Sequence, residues 1–112
     1  LKENTYVKPP YISDDCYSVW AQYSVLAPNK KARDFIVKNF KENGVNAAIF
    51  YPAPLHLQEC FKYLKYKVGD LPVTEEICDC IFNLPCYGEF TREEQKKVVK
   101  ILNDSINILT NN

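Results

Sequence analysis

The strongest constraint on the fold is a pair of prolines, Pro52 and Pro54, in the segment YPAPLHLQ at residues 51–58. Each proline fixes its own backbone torsion and removes an amide donor, so this segment can be neither a regular helix nor a central strand. The segment therefore predicts a stiff, extended loop. It presents Tyr51 and His56, the single histidine of the chain, and such a loop is well suited to lining a cleft.

The chain before this loop predicts a strand, a helix and a second strand. A period-two pattern rich in β-forming residues covers residues 17–27 and predicts one long half-buried strand, which Pro28 ends. Asn29 is expected to cap a helix that Gly44 stops in the left-handed conformation. The apolar face of this helix is expected to contain Ala32, Phe35, Ile36 and Phe40. Residues 45–50 form a short apolar run, which predicts a second strand leading directly into the loop.

The chain after the loop predicts a second helix and a third strand. Residues 57–66 have helix-like spacing over only one or two turns. Pro72 is expected in the first turn of a helix whose early acidic residues, Glu75 and Glu76, suit the helix dipole. The apolar face of that helix is expected to contain Val73, Ile77, Cys80 and Ile81. Residues 83–86 are the candidate third strand.

A long closing helix is the best-supported element of the sequence. Thr91 and Glu94 have the spacing of a capping box, in which a threonine and a glutamate satisfy the first amides of a helix. A helical apolar stripe follows, formed by Val98, Ile101, Leu102, Ser105, Ile106 and Leu109. The opposite face is expected to be solvated and contains Lys96, Lys97 and Lys100.

This order of elements predicts an α+β fold with helices packed on a small sheet. Residues 1–15 combine charges and prolines without periodicity and are expected to be an irregular lead-in. Residues 16–112 are expected to form one domain, because 112 residues suffice for one modest core. The chain begins at Leu1 without an initiator methionine, so a processed or cloned fragment is expected.

Composition argues against several partners and compartments. Fourteen basic and fourteen acidic residues cancel, which leaves no electrostatic basis for binding nucleic acid or an anionic membrane. No apolar stretch approaches the roughly 20 residues that cross a bilayer, and the first residues lack a signal pattern. Five cysteines without a CxxC pair favour reduced, buried thiols in a cytoplasmic protein. Cys78 and Cys80 alone make a poor zinc site, so no metal ligands are expected.

The residues give little evidence for catalysis within this chain. His56 could titrate near neutrality, but the sequence shows neither an orienting partner nor a substrate position, which favours a structural or incidental histidine. The three glycines are isolated, which argues against a phosphate-binding loop. Lys62, Lys65 and Lys67 lack the apolar flanks of a reactive lysine. No catalytic or cofactor-binding residue is therefore expected.

Several ordered motifs nevertheless form a recognisable series between residues 16 and 109. Arg33-Asp34 opens the first predicted helix and Gly44 ends it, and the tyrosine-proline-any-proline-leucine-histidine run follows. The later motifs are GDLPVTE at residues 69–75, Leu84-Pro85 and the threonine-led cap at Thr91. In order and spacing, the chain strongly resembles the carboxy-terminal part of the DegT/StrS family of pyridoxal-phosphate-dependent sugar aminotransferases.

The resemblance implies the small domain of a fold-type-I aminotransferase, with about three mostly antiparallel strands and helices on one face. The intact enzyme would transfer an amino group, commonly from glutamate, to a nucleotide-linked keto sugar. Pyridoxal phosphate would be held by a lysine of an amino-terminal large domain, and the enzyme would be a homodimer. Tyr51 and His56 are the implied substrate-cleft residues, followed by Gln58.

The resemblance also implies that this chain is inactive alone. Two alternatives remain open at the level of sequence. One is a free-standing regulatory or interaction domain derived from the same fold, which would expose an unusually large apolar surface. The other is a small-molecule-binding module that uses Tyr51 and His56 directly.

Overall fold

The computed structural model describes residues 4–111. Its elements, in chain order, are β1 (Tyr23–Leu26), α1 (Lys30–Glu42), two 3₁₀ helices (Leu55–Leu57 and Glu59–Leu64), α2 (Pro72–Cys80), β2 (Ile81–Leu84) and α3 (Arg92–Thr110). Two strands and three α-helices confirm the predicted α+β class.

β1 and β2 form a two-stranded antiparallel sheet. Tyr23 lies opposite Leu84 at one end of the sheet, and Leu26 lies opposite Ile81 at the other. A single antiparallel bridge extends the sheet on each side, because Lys8 pairs with Leu26 and Ala48 pairs with Asn83. The sheet is thus antiparallel, with two regular strands in the described chain.

The long strand predicted for residues 17–27 is wrong in its first half. β1 has four residues because β2 supplies only four partners, so a longer period-two pattern has nothing to pair with. Tyr17 and Val19 are 92% and 87% exposed, and Trp20 has a φ of 46° that breaks the extended course of the backbone. The alternation is confirmed beyond Tyr23, where Val25 and Ala27 are buried.

The other two predicted strands also differ from the structure. Residues 45–50 contain no regular strand and contact the sheet through one bridge, in which Ala48 and Asn83 exchange backbone hydrogen bonds of 2.7 and 3.1 Å. The last strand lies at Ile81–Leu84 instead of residues 83–86. Pro85 has no amide to donate to a ladder, and the strand ends before it.

α1 confirms the predicted start, stop and apolar face. The Asn29 side chain accepts a hydrogen bond from the Ala32 amide at 2.9 Å and so caps the first turn. Gly44 has a φ of 71°, as a left-handed helix stop requires. Ala32, Ile36 and Phe40 are buried and Phe35 is half-buried.

α3 also begins as predicted. The Thr91 hydroxyl accepts from the Glu94 amide, and the Glu94 carboxylate accepts from the Thr91 amide at 2.8 Å, which completes the capping box. The predicted stripe is confirmed, since Val98, Ile101, Leu102, Ser105 and Ile106 are buried and Leu109 is half-buried. The three lysines of the opposite face are exposed.

α2 begins at Pro72 as predicted, but its buried face is different. Val73 is 67% exposed, whereas Cys78 is buried. The helix therefore turns the side that contains Cys78 toward the protein. Of the predicted face, Val73 and Ile77 are exposed, while Cys80 and Ile81 are half-buried. Apolarity alone missed Cys78 because the segment that it meets, residues 51–58, is bound through polar contacts.

The core lies between the sheet and the helices. α1 packs against both α2 and α3. The largest fully buried side chains of the core are those of Phe40, Phe82, Ile36 and Leu102. Burying such a side chain contributes roughly 1.5–3 kcal/mol. The irregular segment before β1 adds Val7, which is buried against the same cluster. None of the five cysteines, all within residues 4–111, forms a disulfide; Cys78 is buried, but Cys16 and Cys60 are exposed.

Candidate functional site

The loop of residues 51–58 leaves the edge of the sheet just after Ala48. Its second half is a 3₁₀ turn, Leu55–Leu57, in which the Leu57 amide donates to the Pro54 carbonyl at 3.0 Å. Pro54 precedes the turn and has an extended ψ of 141°. The loop therefore bends at Pro52 and Ala53, is extended only at Pro54, and then makes one 3₁₀ turn that contains His56.

Tyr51 opens the loop and points its side chain outward. The residue is 60% exposed, and its ring contacts only the ring of Phe50 among the aromatic groups described. Its carbonyl oxygen accepts a hydrogen bond from Sγ of Cys78 at 2.9 Å. The backbone of Tyr51 is thus attached to α2, while its phenol is available to a binding partner.

His56 is buried, in contrast to Tyr51. Its side chain is 5% exposed, and its Nε2 lies 3.1 Å from Oε1 of Glu75. The ring meets Tyr66 edge to face, with centroids 5.8 Å apart. Nδ1 is buried and has no hydrogen-bond partner within residues 4–111.

Glu75 is the residue that the sequence did not reveal as part of this site. Its carboxylate accepts from the Gly69 amide at 2.9 and 3.0 Å, besides its contact with His56. Burial is the largest single influence on the pKa of Glu75 and acts to raise it. Three hydrogen-bond donors together outweigh burial and lower this pKa below its ordinary value: the amide of Gly69, the imidazole of His56 and the more distant amide of Leu71. Glu75 is therefore an ionised acceptor shared by the loop and the turn before α2.

Gln58 closes the loop on itself. Its Nε2 donates to the Ala53 carbonyl at 3.1 Å, across the bend that the 3₁₀ turn makes. The structure thus gives the three predicted site residues different environments: Tyr51 is exposed, His56 is buried, and Gln58 binds the loop backbone. Glu75 is the fourth residue of the site, and its only sequence signal was its spacing from Gly69. That spacing places a carboxylate in the first turn of a helix that follows a glycine turn.

The stretch from the loop to α2 exposes many large apolar side chains. We call this set the 51–77 surface: Tyr51, Leu55, Tyr63, Leu64, Tyr66, Val68, Leu71, Val73 and Ile77. Single exposed apolar residues are ordinary, whereas large contiguous patches mark interaction sites, and this stretch of the chain contains nine exposed large apolar side chains. The loop therefore lies in the part of the chain that is best suited to contact another domain or protein.

Metal and membrane sites find no support in the described chain. Residues 4–111 contain no group of three His, Cys, Asp or Glu side chains that could hold a metal ion. Among the helices described, none is long and apolar enough to cross a bilayer.

A sequence model of the DegT/DnrJ/EryC1/StrS aminotransferase family matches residues 1–103. The pleiotropic regulatory protein of Geobacillus stearothermophilus is 38% identical over 94 residues, which are 84% of this chain and 24% of that protein. The dTDP-3-amino-3,4,6-trideoxy-alpha-D-glucose transaminase of Micromonospora megalomicea subsp. nigra is 30% identical over 107 residues, which are 95% of this chain and 28% of that protein. The chain thus spans about a quarter of the length of these relatives.

Solved aminotransferase structures are also similar to this chain. A DegT DnrJ EryC1 StrS aminotransferase from Brucella abortus superimposes with a TM-score of 0.76 and 32% identity over 88% of this chain and 26% of that one. NtdA from Bacillus subtilis, solved with bound cofactor PMP, superimposes with a TM-score of 0.75 and 28% identity over 92% of this chain and 23% of that one.

Proposed function

Because the chain belongs to the DegT/DnrJ/EryC1/StrS aminotransferase family, we propose that it is the carboxy-terminal small domain of an aminotransferase that acts on a nucleotide-linked keto sugar. The observation that carries the proposal is the 30% identity to a dTDP-amino-sugar transaminase over 95% of this chain. In the reaction, an amino acid, which we take to be glutamate, and the keto sugar become a 2-oxo acid and an amino sugar. The amino group and the carbonyl oxygen exchange places, with no net oxidation.

The cofactor of such an enzyme is pyridoxal phosphate, and the described residues do not fit it. A cofactor-anchoring lysine needs a desolvated setting or a neighbouring cation. Every lysine within residues 4–111 is exposed. The described glycines, Gly44, Gly69 and Gly88, lie far apart in the sequence and form no phosphate-binding loop. We therefore assign the cofactor to a large domain of the same polypeptide and no step of its chemistry to this chain.

The part of this chain in the reaction is to shape the sugar side of the cleft. The exposed phenol of Tyr51 can donate a hydrogen bond to a sugar or phosphate oxygen. His56 and Gln58 contribute indirectly, because their hydrogen bonds stabilise the loop that carries Tyr51. The 51–77 surface provides the apolar contact with the large domain or with the second subunit of a homodimer. In this arrangement residues 16–112 form the small domain and residues 1–15 lead into it, with Val7 of the lead-in packed into its core.

A second candidate function is a free-standing regulatory or interaction domain with the same fold. The relative with 38% identity is named a pleiotropic regulatory protein, and this name is the observation that favours the candidate. Such a domain would use the 51–77 surface to bind a partner. The two functions differ in what they require, because only the aminotransferase needs a cofactor-binding domain in the same polypeptide.

Cofactor titration distinguishes the two functions. The full-length protein that carries these residues is mixed with pyridoxal phosphate, and the absorbance of the lysine-bound cofactor is followed beside that of the 112-residue chain. The proposal expects stoichiometric binding by the full-length protein, none by the chain alone, and amino transfer from L-glutamate to a nucleotide-linked keto sugar. A full-length protein that binds no pyridoxal phosphate would leave the regulatory function as the better explanation.

A further inference from the structure

One face of α2 holds the loop of residues 51–58 at two points. Glu75 reaches Nε2 of His56 at 3.1 Å, and Sγ of Cys78 donates to the carbonyl of Tyr51 at 2.9 Å. Residues three positions apart lie on the same side of a helix. The beginning and the middle of the loop are therefore attached to neighbouring positions on one rigid element.

α2 is itself fixed to the rest of the domain at this turn. The side chain of Arg33, on α1, is buried, and its Nη1 donates to the carbonyl of Cys78 at 3.2 Å. A cation near the last carbonyls of a helix also complements the helix dipole. A movement of the loop relative to the core must therefore break the contacts made by Glu75 and Cys78.

The carboxylate of Glu75 is oriented before it meets the histidine. Both of its oxygens accept from the amide of Gly69, and the side chain is largely withdrawn from solvent. The φ of Gly69 is 94°, a conformation that presents its amide to the carboxylate and that other residues adopt only with strain. The turn before α2 thus fixes where Glu75 can hold His56.

This contact determines the state of the imidazole. An ionised carboxylate only accepts hydrogen bonds, so Nε2 of His56 carries the proton that bonds Glu75. When the ring is neutral, its lone pair is therefore on Nδ1, which is buried without a partner among the described residues. Burying an unpaired polar atom is unfavourable, and the charge-assisted bond to Glu75 offsets this cost. His56 is thus held in its buried position by Glu75.

We propose that Glu75 is a positioning residue for the sugar substrate, which it controls through His56 by fixing the loop that carries Tyr51. The identity of the substrate rests on the proposed function, whereas the positioning of His56 does not. Removal of the carboxylate should release the imidazole and with it one of the two attachments of the loop, while the contact of Cys78 with Tyr51 and the attachment of α2 to the core through Arg33 should remain.

The histidine spectrum tests the positioning directly. The chain has a single histidine, so ¹⁵N-detected NMR of the 112-residue chain reports on His56 without ambiguity. In the pH range where the ring is neutral, the wild-type ring should show a protonated Nε2 and a pyridine-like Nδ1, with clearly separated resonances. In Glu75→Gln the two resonances should move toward each other, as expected for exchanging tautomers. Glu76→Gln, a change at the exposed neighbour on the same helix, should leave the spectrum unchanged.

Kinetics of the full-length enzyme test the consequence for the substrate. The probe sugar is dTDP-3-amino-3,4,6-trideoxy-α-D-glucose, assayed with 2-oxoglutarate, and kcat/KM is measured separately for each substrate. Glu75→Gln should lower kcat/KM for the sugar about 10- to 100-fold, as expected for a misplaced substrate contact, and leave kcat/KM for 2-oxoglutarate unchanged. Glu75→Asp, which keeps the charge, should restore part of the loss.

Three outcomes decide the proposal. An unchanged histidine spectrum in Glu75→Gln, or an equal loss of kcat/KM for both substrates, overturns it. If Glu75→Gln fails to fold, the spectrum of Glu75→Asp decides, because the proposal requires Nε2 to remain protonated there. A wild-type enzyme that transfers no amino group would count against the proposed function, and the histidine spectrum would still decide whether Glu75 positions His56.

Discussion

Replacing Gly69 by alanine should destabilise the domain without any steric clash. A Cβ at this position meets no heavy atom within 4 Å, so the substitution creates no overlap. The φ of Gly69 is 94°, however, and an L-residue in left-handed space is strained by roughly 1–2 kcal/mol. If the backbone relaxes toward negative φ instead, the amide turns away from the carboxylate of Glu75, which it now bonds at 2.9 and 3.0 Å.

Gly88 provides a matched control within the same chain. A Cβ added there would also meet nothing within 4 Å, but Gly88 is not among the glycines with positive φ. Alanine should therefore be tolerated at this position, and the reduced entropy of the unfolded chain should stabilise the protein by about 0.4–1 kcal/mol. The two substitutions are chemically identical and differ only in the backbone conformation that they meet.

Urea denaturation of the 112-residue chain at pH 7 measures both effects. Gly69→Ala should lower the free energy of unfolding by about 1–2 kcal/mol, and Gly88→Ala should leave it unchanged or raise it. A Gly69→Ala chain as stable as Gly88→Ala would refute the reasoning, since it would mean that the turn before α2 does not need a left-handed residue.

Three further results are expected. Leu102→Ala should cost about 2–5 kcal/mol in the same denaturation assay, because Leu102 is fully buried, and Val99→Ala on the outer side of α3 should cost far less. Glu94 has a lowered pKa because the amide and hydroxyl of its cap partner bond it, so it stabilises the fold above its unfolded pKa. Glu94→Gln should accordingly be less stable than wild type at pH 7, with a difference that vanishes as the pH falls through the acidic range. Burial raises the pKa of the Cys78 thiol, so it should react with iodoacetamide more slowly than exposed Cys60, as peptide mapping would show.

Elements with local signals could be predicted from the sequence. The asparagine cap of α1, the capping box of α3 and the stop at Gly44 all depend on residues within one turn of each other. The apolar stripe of α3 was also correct, because 19 residues provide more than five turns over which the helical period becomes unmistakable. Local chemistry determines these features, and tertiary packing does not override them.

Features that depend on a distant partner could not be predicted. The period-two pattern of residues 17–27 says which side of a strand faces inward, but the length of β1 is determined by β2, which lies much later in the chain. The inward side of α2 was wrong for a similar reason, since Cys78 faces a loop that the chain made much earlier. Sequence spacing contains no information about which segment will cover a short helix.

The candidate site shows the same division. The two prolines predicted a stiff, extended loop that presents Tyr51 and His56; Tyr51 is exposed as expected, but His56 is buried. The loop's histidine was treated as lacking an orienting partner, because Glu75 lies 19 residues away and its place in a first helical turn already had a sufficient explanation. Only the fold brings the carboxylate, the imidazole and the Gly69 amide together.

The most direct test of the account is the effect of Tyr51→Phe on the full-length enzyme, because this change removes only the phenolic hydroxyl that is proposed to reach the sugar. The account predicts a lower kcat/KM for the nucleotide-linked amino sugar, an unchanged kcat/KM for 2-oxoglutarate, and no effect of Tyr11→Phe, the same substitution at another exposed tyrosine in the lead-in. An unchanged kcat/KM for the sugar in Tyr51→Phe would contradict the claim that this loop forms part of the substrate cleft.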